Sequence, residues 1–203
     1  MIPGSKNDTK QRWAELVERV RQIESPEPAA VGVDDGRAAV GFGAIHEWFD
    51  QGSTFPGRPV CVLSHLAGRA LAEDGGYVVW VGRRCWPYGR LLVHGDDRLL
   101  LERSVFVDVP NDAAKLWAVD VALRCEAVSA VVADGSGFDI AATRRLQLAA
   151  RAGRSMGLLA RPPGERHELS AAATRWAIQP VVNHDRPRPR WRVTQLRCKS
   201  GVG

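Results

Sequence analysis

The sequence predicts an α/β domain built on a largely parallel sheet, and three observations lead to that class. Short apolar runs typical of strands alternate with longer amphipathic runs typical of helices. Residues 77–82 (YVVWVG) are continuously apolar, as expected of a strand buried on both faces of a sheet. The chain has 203 residues, 45% of them hydrophobic and 25% charged, which suits one globular core without disulfide or metal support.

Residues 1–40 are predicted to form a helix and a linker outside the core. Thr9 can cap a helix that runs to about residue 23, with Trp13 on its apolar face. Residues 25–40 are rich in Pro, Gly and Asp, a composition typical of a linker. Such an arm either packs on a neighbouring subunit or folds back on its own domain. The helix is therefore the candidate element for self-association.

Residues 41–183 are predicted to form the core, and residues 184–203 a basic strand and tail. Pro110 and Asn111 open one helix, whereas Asp139 caps another that Gly153 ends. The predicted parallel strands are 43–49, 77–82, 104–109, 129–134 and 155–161. The helices between them are 59–73, 112–125 and the one capped by Asp139. Residues 83–103 give no clear pattern. Two antiparallel strands, 173–181 and 190–196, are expected at the sheet edge.

Several function classes are disfavoured by what the sequence lacks. No apolar run approaches the roughly 18 residues of a membrane helix, and the N-terminus has no apolar core of a secretory signal. The four cysteines form no CxxC pair and the five histidines have no metal-ligand spacing. The sequence therefore predicts a cytoplasmic protein without membrane contact, metal or cofactor.

The loop after the first core strand has the position of a phosphate-binding loop without its chemistry. Gly52 and Gly57 have the glycine spacing of GxxxxGK[ST], but Arg58 and Pro59 follow where Lys and Ser/Thr would contact phosphate and Mg²⁺. A plain strand–helix connection is the favoured interpretation, with weak anion binding by Arg58 as the alternative.

Two further strand ends carry candidate residues. Arg83 and Arg84 follow the second strand, where a catalytic carboxylate could have activated water, and cations cannot serve as a general base. They belong either to a solvated loop or to a surface that contacts phosphate or an acidic partner. Asp134 ends the fourth strand, at the Walker B-like position. The favoured role for Asp134 is to bind the amides of Ser136 or Gly137 and shape the turn.

The net charge is +5, and basic residues are concentrated near the C-terminus. Trp191 lies among them, where it could stack a nucleic-acid base or simply occupy an edge strand. Trp80 and Trp117 are predicted to be core residues. The candidate contacts for DNA or a partner are Arg83, Arg84, Arg186, Arg188, Arg190, Trp191, Arg192, Arg197 and Lys199.

The order of these segments resembles the ImuA family, the RecA-like and SulA-related accessory proteins of bacterial mutagenesis. The most specific pair is SVFVDVPNDAAKLWAVDVALRC with AVVADGSGFDIAATRRLQLAARAG. The other matching segments are GFGAIHEWF, LSHLAGRALA, YVVWVGRRCWPYG, GLLARPPGE, ELSAAATRW and RWRVTQLRCKSG. Together they cover about residues 41–201, and the N-terminal helix matches more loosely.

The resemblance implies a RecA-like core and a role in SOS-induced translesion DNA synthesis. It implies two partners: an ImuB-like, inactive Y-family polymerase homologue and an error-prone replicative-type polymerase. It also implies that the C-terminal region engages a partner or single-stranded DNA. Relative to RecA, the chain lacks both the phosphate-loop lysine, at Arg58, and the catalytic glutamate, at Arg83 and Arg84.

We therefore expect a non-catalytic adaptor rather than an ATPase. The alternative is a SulA-like inhibitor of cell division that binds the tubulin-like division protein. A nucleotide hydrolase with an unusual loop is a third hypothesis, which the sequence disfavours.

Overall fold

A seven-stranded sheet forms the centre of the structure, a computed structural model that describes residues 40–51, 59–92, 99–181 and 190–199. The strand order is β3-β2-β4-β5-β1-β6-β7. The strands are β1 (Ala44–Asp50), β2 (Tyr77–Val81), β3 (Ser104–Val107), β4 (Val128–Asp134), β5 (Met156–Arg161), β6 (Thr174–Val181) and β7 (Arg190–Cys198).

Five α-helices accompany the sheet in the described residues. They are α1 (Val60–Asp74), α2 (Gly89–Leu92), α3 (Leu99–Glu102), α4 (Asp112–Arg124) and α5 (Ile140–Gly153). None of these helices is both long and apolar enough to cross a bilayer.

The predicted fold class is confirmed. All neighbouring strands pair in parallel except β6 and β7, which are antiparallel at the edge of the sheet, as the sequence predicts. The N-terminal helix and linker lie outside the described residues, so the predicted arm stays a prediction.

Two apolar layers enclose the sheet, one on each face. The alternation of side chains along each strand sends Trp80 of β2 towards α1 and its neighbour Val79 towards α4 and α5. On the α1 side, Leu63 and Ala67 of the helix pack over the strands. On the other side, Val119 of α4 belongs to the core under both helices. The central strands are thus buried on both faces, which explains their continuous apolar sequences.

Side-chain caps begin both helices that flank the candidate site. Asn111 accepts a hydrogen bond from the Ala114 amide at 2.9 Å, and Asp139 accepts one from the Ala142 amide at 2.8 Å. The two predicted helix starts are therefore confirmed. α5 ends at Gly153, where a Cβ would lie 2.1 Å from the backbone oxygen of Leu123. Only glycine lets the end of α5 approach α4 so closely.

Two parts of the sequence prediction are completed or corrected by the structure. The segment without a clear pattern forms a 3₁₀ turn at Arg83–Cys85, followed by the short helices α2 and α3. Trp80 is buried as predicted, but the prediction for Trp117 is wrong, because this side chain is 62% exposed. It lies two residues before the buried Val119, which is about 200° around a helix, so it points away from the sheet.

Candidate functional site

A cleft of about 550 Å³ opens at the carboxyl ends of β2, β3 and β4, beside the start of α4. Ligands of open α/β sheets generally bind at this edge. The cleft brings together three residues predicted from the sequence, Arg83, Arg84 and Asp134. It adds three residues that the sequence analysis did not single out: Asp108, Asp112 and Lys115.

A glycine turn directs the two arginines into the cleft. Gly82 has φ 86°, a conformation that favours glycine, and its amide donates to the Val107 carbonyl at 3.0 Å. The chain then enters the 3₁₀ turn that carries both guanidinium groups. A Cβ at Gly82 would lie 3.6 Å from the Cβ of Asp134, so the turn passes close to the end of β4.

Arg83 forms an ion pair with Asp108, which follows β3. The Arg83 Nε donates to Asp108 Oδ2 at 2.8 Å, and the terminal nitrogen Nη2 donates to the same oxygen. Both side chains are largely exposed, so solvent screening limits the pair to less than about 1 kcal/mol. Its consequence is positional, because it ties the turn after β2 to the end of β3.

The buried Asp134 carboxylate shapes the turn after β4. Its Oδ1 accepts hydrogen bonds from the Ser136 amide at 3.1 Å and from the Ser136 hydroxyl at 2.6 Å. The hydrogen bond from the Ser136 amide to Asp134, which the sequence predicts, is therefore present. The exposed Arg84 places Nη1 3.9 Å from Asp134 Oδ2. The Walker B-like role of Asp134 stays a prediction.

Lys115 closes the side of the cleft formed by α4. This lysine is buried, and its Nζ donates to the Ser136 carbonyl at 3.0 Å and pairs with Asp112 Oδ1 at 2.9 Å. The same Nζ lies 5.2 Å from the centre of the Phe138 ring. Lys115 could have been identified from the sequence, because it lies four residues before Val119 and therefore on the same, buried face of α4.

The cleft carries equal numbers of positive and negative side chains. Three cations and three carboxylates line it. Arg83 pairs with Asp108, Lys115 pairs with Asp112, and Arg84 approaches Asp134. Each cation of the cleft thus has a carboxylate neighbour within 4 Å.

A second polar cluster joins the neighbouring strands β5, β1 and β6, and the sequence analysis missed it. Glu47 of β1 is fully buried between two arginines. Its Oε1 lies 2.8 Å from Arg161 Nη1 of β5, and its Oε2 lies 2.7 Å from Arg175 Nε of β6. Charged residues inside apolar strands were the available signal, because burial of a charge requires a partner.

Arg161 connects this cluster to the cleft. Its Nε donates to Glu165 Oε2 at 2.7 Å, and its Nη2 donates to Glu168 Oε2 at 3.1 Å. The other carboxylate oxygen of Glu165 accepts from the Gly137 amide at 3.0 Å. Because Gly137 lines the cleft, the turn after β4 is held by both clusters.

The predicted phosphate loop stays a prediction. Gly52, Gly57 and Arg58 lie outside the described residues. β5 separates β1 from β4, so the end of β1 lies about 10 Å from Asp134 along the sheet.

The predicted C-terminal contacts divide between the two faces of β7. Trp191 packs against the core cluster under α1, whereas Arg192 next to it is exposed. The edge-strand interpretation of Trp191 is therefore favoured. Arg190 begins β7, and Arg186 and Arg188 lie outside the described residues.

Two other predicted contacts bind the protein's own backbone. Arg197 Nη2 donates to the carbonyl of Ser170 at 2.8 Å, and Lys199 Nζ donates to the carbonyl of Ala171 at 3.1 Å. β7 is five strands from β2, a distance of about 24 Å. Among the described residues, Arg192, Arg197 and Lys199 therefore lie on a surface separate from that of Arg83.

The described part of the chain contains no group of three or more His, Cys, Asp or Glu side chains that could hold a metal ion.

The comparisons with known proteins give two curated relatives. They are the proteins named ImuA of two Caulobacter vibrioides strains, NA1000 / CB15N and ATCC 19089 / CIP 103742 / CB 15. Each is 33% identical over 159 residues, which cover 70% of this chain and 64% of the relative. The chain thus spans less than two thirds of their length. No family model matches the sequence.

Among solved structures, the crystal structure of SulA from Pseudomonas aeruginosa aligns with 58% of this chain and 97% of its own. The TM-score is 0.45 and the identity is 21%.

Proposed function

This chain is a homologue of the ImuA proteins, as its sequence indicated, and from that homology we propose that it is a non-catalytic adaptor in damage-induced translesion DNA synthesis. In this role it assembles an error-prone polymerase complex. Its proposed partners are an ImuB-like Y-family polymerase homologue and a replicative-type polymerase. The observation that carries the proposal is the 33% identity over 159 residues.

The cleft supports the non-catalytic part of the proposal. Arg83 and Arg84 occupy the turn after β2, and their guanidinium groups face Asp108 and Asp134. A guanidinium group cannot accept a proton, so neither arginine can replace a water-activating carboxylate at this turn. The sequence at Arg58 and Pro59 adds a second reason, since neither residue can replace the phosphate-loop lysine and hydroxyl.

Direct contact with single-stranded DNA is a further part of the proposal. The exposed Arg192 is available for it, whereas Arg197 and Lys199 already bind backbone carbonyls. Phosphate contacts release counterions, so DNA binding of this kind would weaken steeply as salt is added.

Damage-induced mutagenesis in the native host tests the proposed function. A strain without this gene is complemented with the wild-type chain or with an empty vector, and mutation frequency is measured after ultraviolet irradiation. We expect the wild-type chain to restore the frequency of induced mutations per surviving cell. The frequency of spontaneous mutations should stay unchanged. Equal induced frequencies in the two strains would contradict the proposal.

The same strains separate the alternatives. Overexpression that produces filamentous cells without any effect on induced mutation would support the division-inhibitor hypothesis instead. Phosphate release by the purified chain above the buffer blank, abolished by Asp134→Ala, would support the hydrolase hypothesis.

A further inference from the structure

The outer surface of the α4 and α5 layer carries apolar side chains that the core does not use. We call it the α4–α5 face and define it by Trp117, Val121, Arg124, Arg144, Arg145 and Leu148. Trp117 is 62% exposed and Leu148 is 56% exposed. Val121 is also exposed, and none of the three belongs to the core clusters. Large exposed apolar side chains that cluster on one surface are typical of interaction sites.

Helical spacing brings these side chains into two rows. Trp117 and Val121 are four residues apart on α4, as are Arg144 and Leu148 on α5, so each pair shares one side of its helix. α4 and α5 both follow strands of one parallel sheet and therefore run in the same direction. Each row spans about 6 Å, or roughly one helical turn, and the ion pair between Asp120 and Arg145 places the two helices side by side.

An ion triplet joins α4 to α5 and holds two arginines, Arg124 and Arg145, at the seam between the two helices. Asp120 of α4 lies 3.2 Å from Arg124 Nε and 3.1 Å from Arg145 Nη2 of α5. Burial alone would raise the pKa of Asp120, but the hydrogen bonds and charges of Arg145 and Arg124 outweigh it and lower that pKa. The single carboxylate is therefore ionised and shared by two half-exposed guanidinium groups.

The remaining charge of the face is positive. α5 contains three arginines and no acidic residue. Among the described residues, no ion pair involves Arg144, which is exposed next to Leu148. A partner that covers this surface must supply carboxylates as well as apolar side chains, because desolvated guanidinium groups need counter-charges.

We propose that the α4–α5 face docks an acidic amphipathic helix of a partner protein. The apolar side of that helix covers Trp117, Val121 and Leu148, and its carboxylates pair with Arg144 and with the arginines at the seam. Trp and Arg are the residues that most often dominate the energy of protein interfaces. Nucleic acid fits this surface less well, because phosphate groups make no favourable contact with the exposed apolar side chains of Val121 and Leu148. The inference does not depend on the proposed function.

Site-specific photo-crosslinking of the full chain in its host tests this proposal. A photo-reactive amino acid replaces Trp117 or Leu148, and the captured peptide is sequenced by mass spectrometry. Leu169, an equally exposed leucine on a different segment, is the matched control position. We expect positions 117 and 148 to capture the same peptide, with apolar residues at helical spacing and a net negative charge.

Three outcomes would overturn the proposal. They are an adduct that nuclease removes, a captured peptide that is neutral or basic, and capture no stronger than at position 169.

A second pair of variants tests the combined contribution of apolar contact and charge. Trp117→Ala combined with Arg144→Glu should lower recovery of the captured partner by at least about tenfold, as expected of interface hot spots. Arg69→Glu, an equally charged change on the exposed side of α1, is the control and should leave recovery unchanged. Both variants should keep the wild-type unfolding midpoint, because the changed side chains are exposed. Equal recovery with both variants would overturn the proposal.

Discussion

The carboxylate of Glu47 and the guanidinium of Arg161 form an ion pair that is buried on both sides, with Oε1 2.8 Å from Nη1. Each partner has a second anchor, because Glu47 also pairs with Arg175 and Arg161 also binds the Phe138 carbonyl at 2.9 Å. Solvent cannot replace any of these contacts. Glu47 therefore joins β1 to both neighbouring strands through side chains as well as through the backbone ladder.

Glu47→Ala should destabilise the protein by about 3–5 kcal/mol, because it leaves the buried Arg175 without a carboxylate and removes one of the three carboxylates that pair with Arg161. The free energy of unfolding from urea denaturation measures this loss. Glu168→Ala is the control, since its side chain is 53% exposed at the rim of the same cluster and should cost less than about 1 kcal/mol. Similar losses in the two variants would show that the buried pair has no special role.

A buried histidine makes stability depend on pH. His46 Nδ1 lies 2.7 Å from Thr174 Oγ1, which also accepts from Trp176 Nε1 at 2.6 Å. His46 Nε2 lies 2.9 Å from the Gly41 carbonyl oxygen. These partners suit a neutral ring that donates from Nε2 and accepts the Thr174 hydroxyl proton at Nδ1. Burial lowers the pKa of His46 to about 4, against a smaller opposing effect of the bond to Gly41.

The direction of the pH effect follows from the proton counts. Between pH 6.5 and pH 4 the unfolded chain protonates His46 while the folded chain does not, so the free energy of unfolding should fall as pH falls through this range. The stabilisation is complete above about pH 6.5 and is lost below about pH 4, and it amounts to about 3 kcal/mol. His46→Asn should flatten this part of the profile.

His65→Ala is the control, because His65 is exposed on α1. An unchanged slope in the His46→Asn variant would assign the effect to other groups. Asp120 acts in a different range: its pKa is lowered by its two arginines, so its contribution disappears only below its ordinary pKa of 3.8.

Asp134→Asn should destabilise the turn after β4 without changing phosphate release. The neutral amide still offers an oxygen to Ser136 but loses the charge that strengthens both bonds, a loss of about 1–3 kcal/mol. Thermal unfolding and a phosphate-release assay on the same preparation measure the two effects. Release that starts above the buffer blank and falls in the variant would contradict a non-catalytic site.

Arg197→Ala and Arg192→Ala should have different consequences. Arg197 binds the Ser170 and Ala172 carbonyls, so its loss should lower stability by about 1–3 kcal/mol. Arg192 is exposed, so its loss should leave stability within about 0.5 kcal/mol. Single-stranded DNA binding measured against salt shows which arginine contacts phosphate. We expect only Arg192→Ala to reduce the salt slope, and the reverse result would move the contact to Arg197.

The sheet could be predicted because its strands are short apolar runs with helices between them, a pattern that depends on local sequence alone. The caps at Asn111 and Asp139 are equally local, since each side chain binds an amide three residues ahead. The exposed position of Trp117 was missed because an apolar residue in a helix indicates burial only on average. Its orientation depends on which side of α4 faces the sheet.

The contacts within the buried cluster could not be predicted for a related reason. Glu47 and Arg161 are 114 residues apart, and Glu47 and Arg175 are 128 residues apart. No sequence pattern joins positions that meet only when β1 inserts between β5 and β6. In the cleft, Arg83, Arg84 and Asp134 were found because all three lie at strand ends. Lys115 lies inside a helix, where lysine is ordinarily solvated.

The location of β1 has a consequence for how the protein is made. β1 comes first among the described strands, yet its partners β5 and β6 follow more than 100 residues later in the chain. During synthesis on the ribosome this apolar strand must wait until Thr174 and the residues after it have emerged. Such distant pairing slows folding and leaves an aggregation-prone strand exposed meanwhile. The nascent chain should therefore depend on chaperones more than its size alone would suggest.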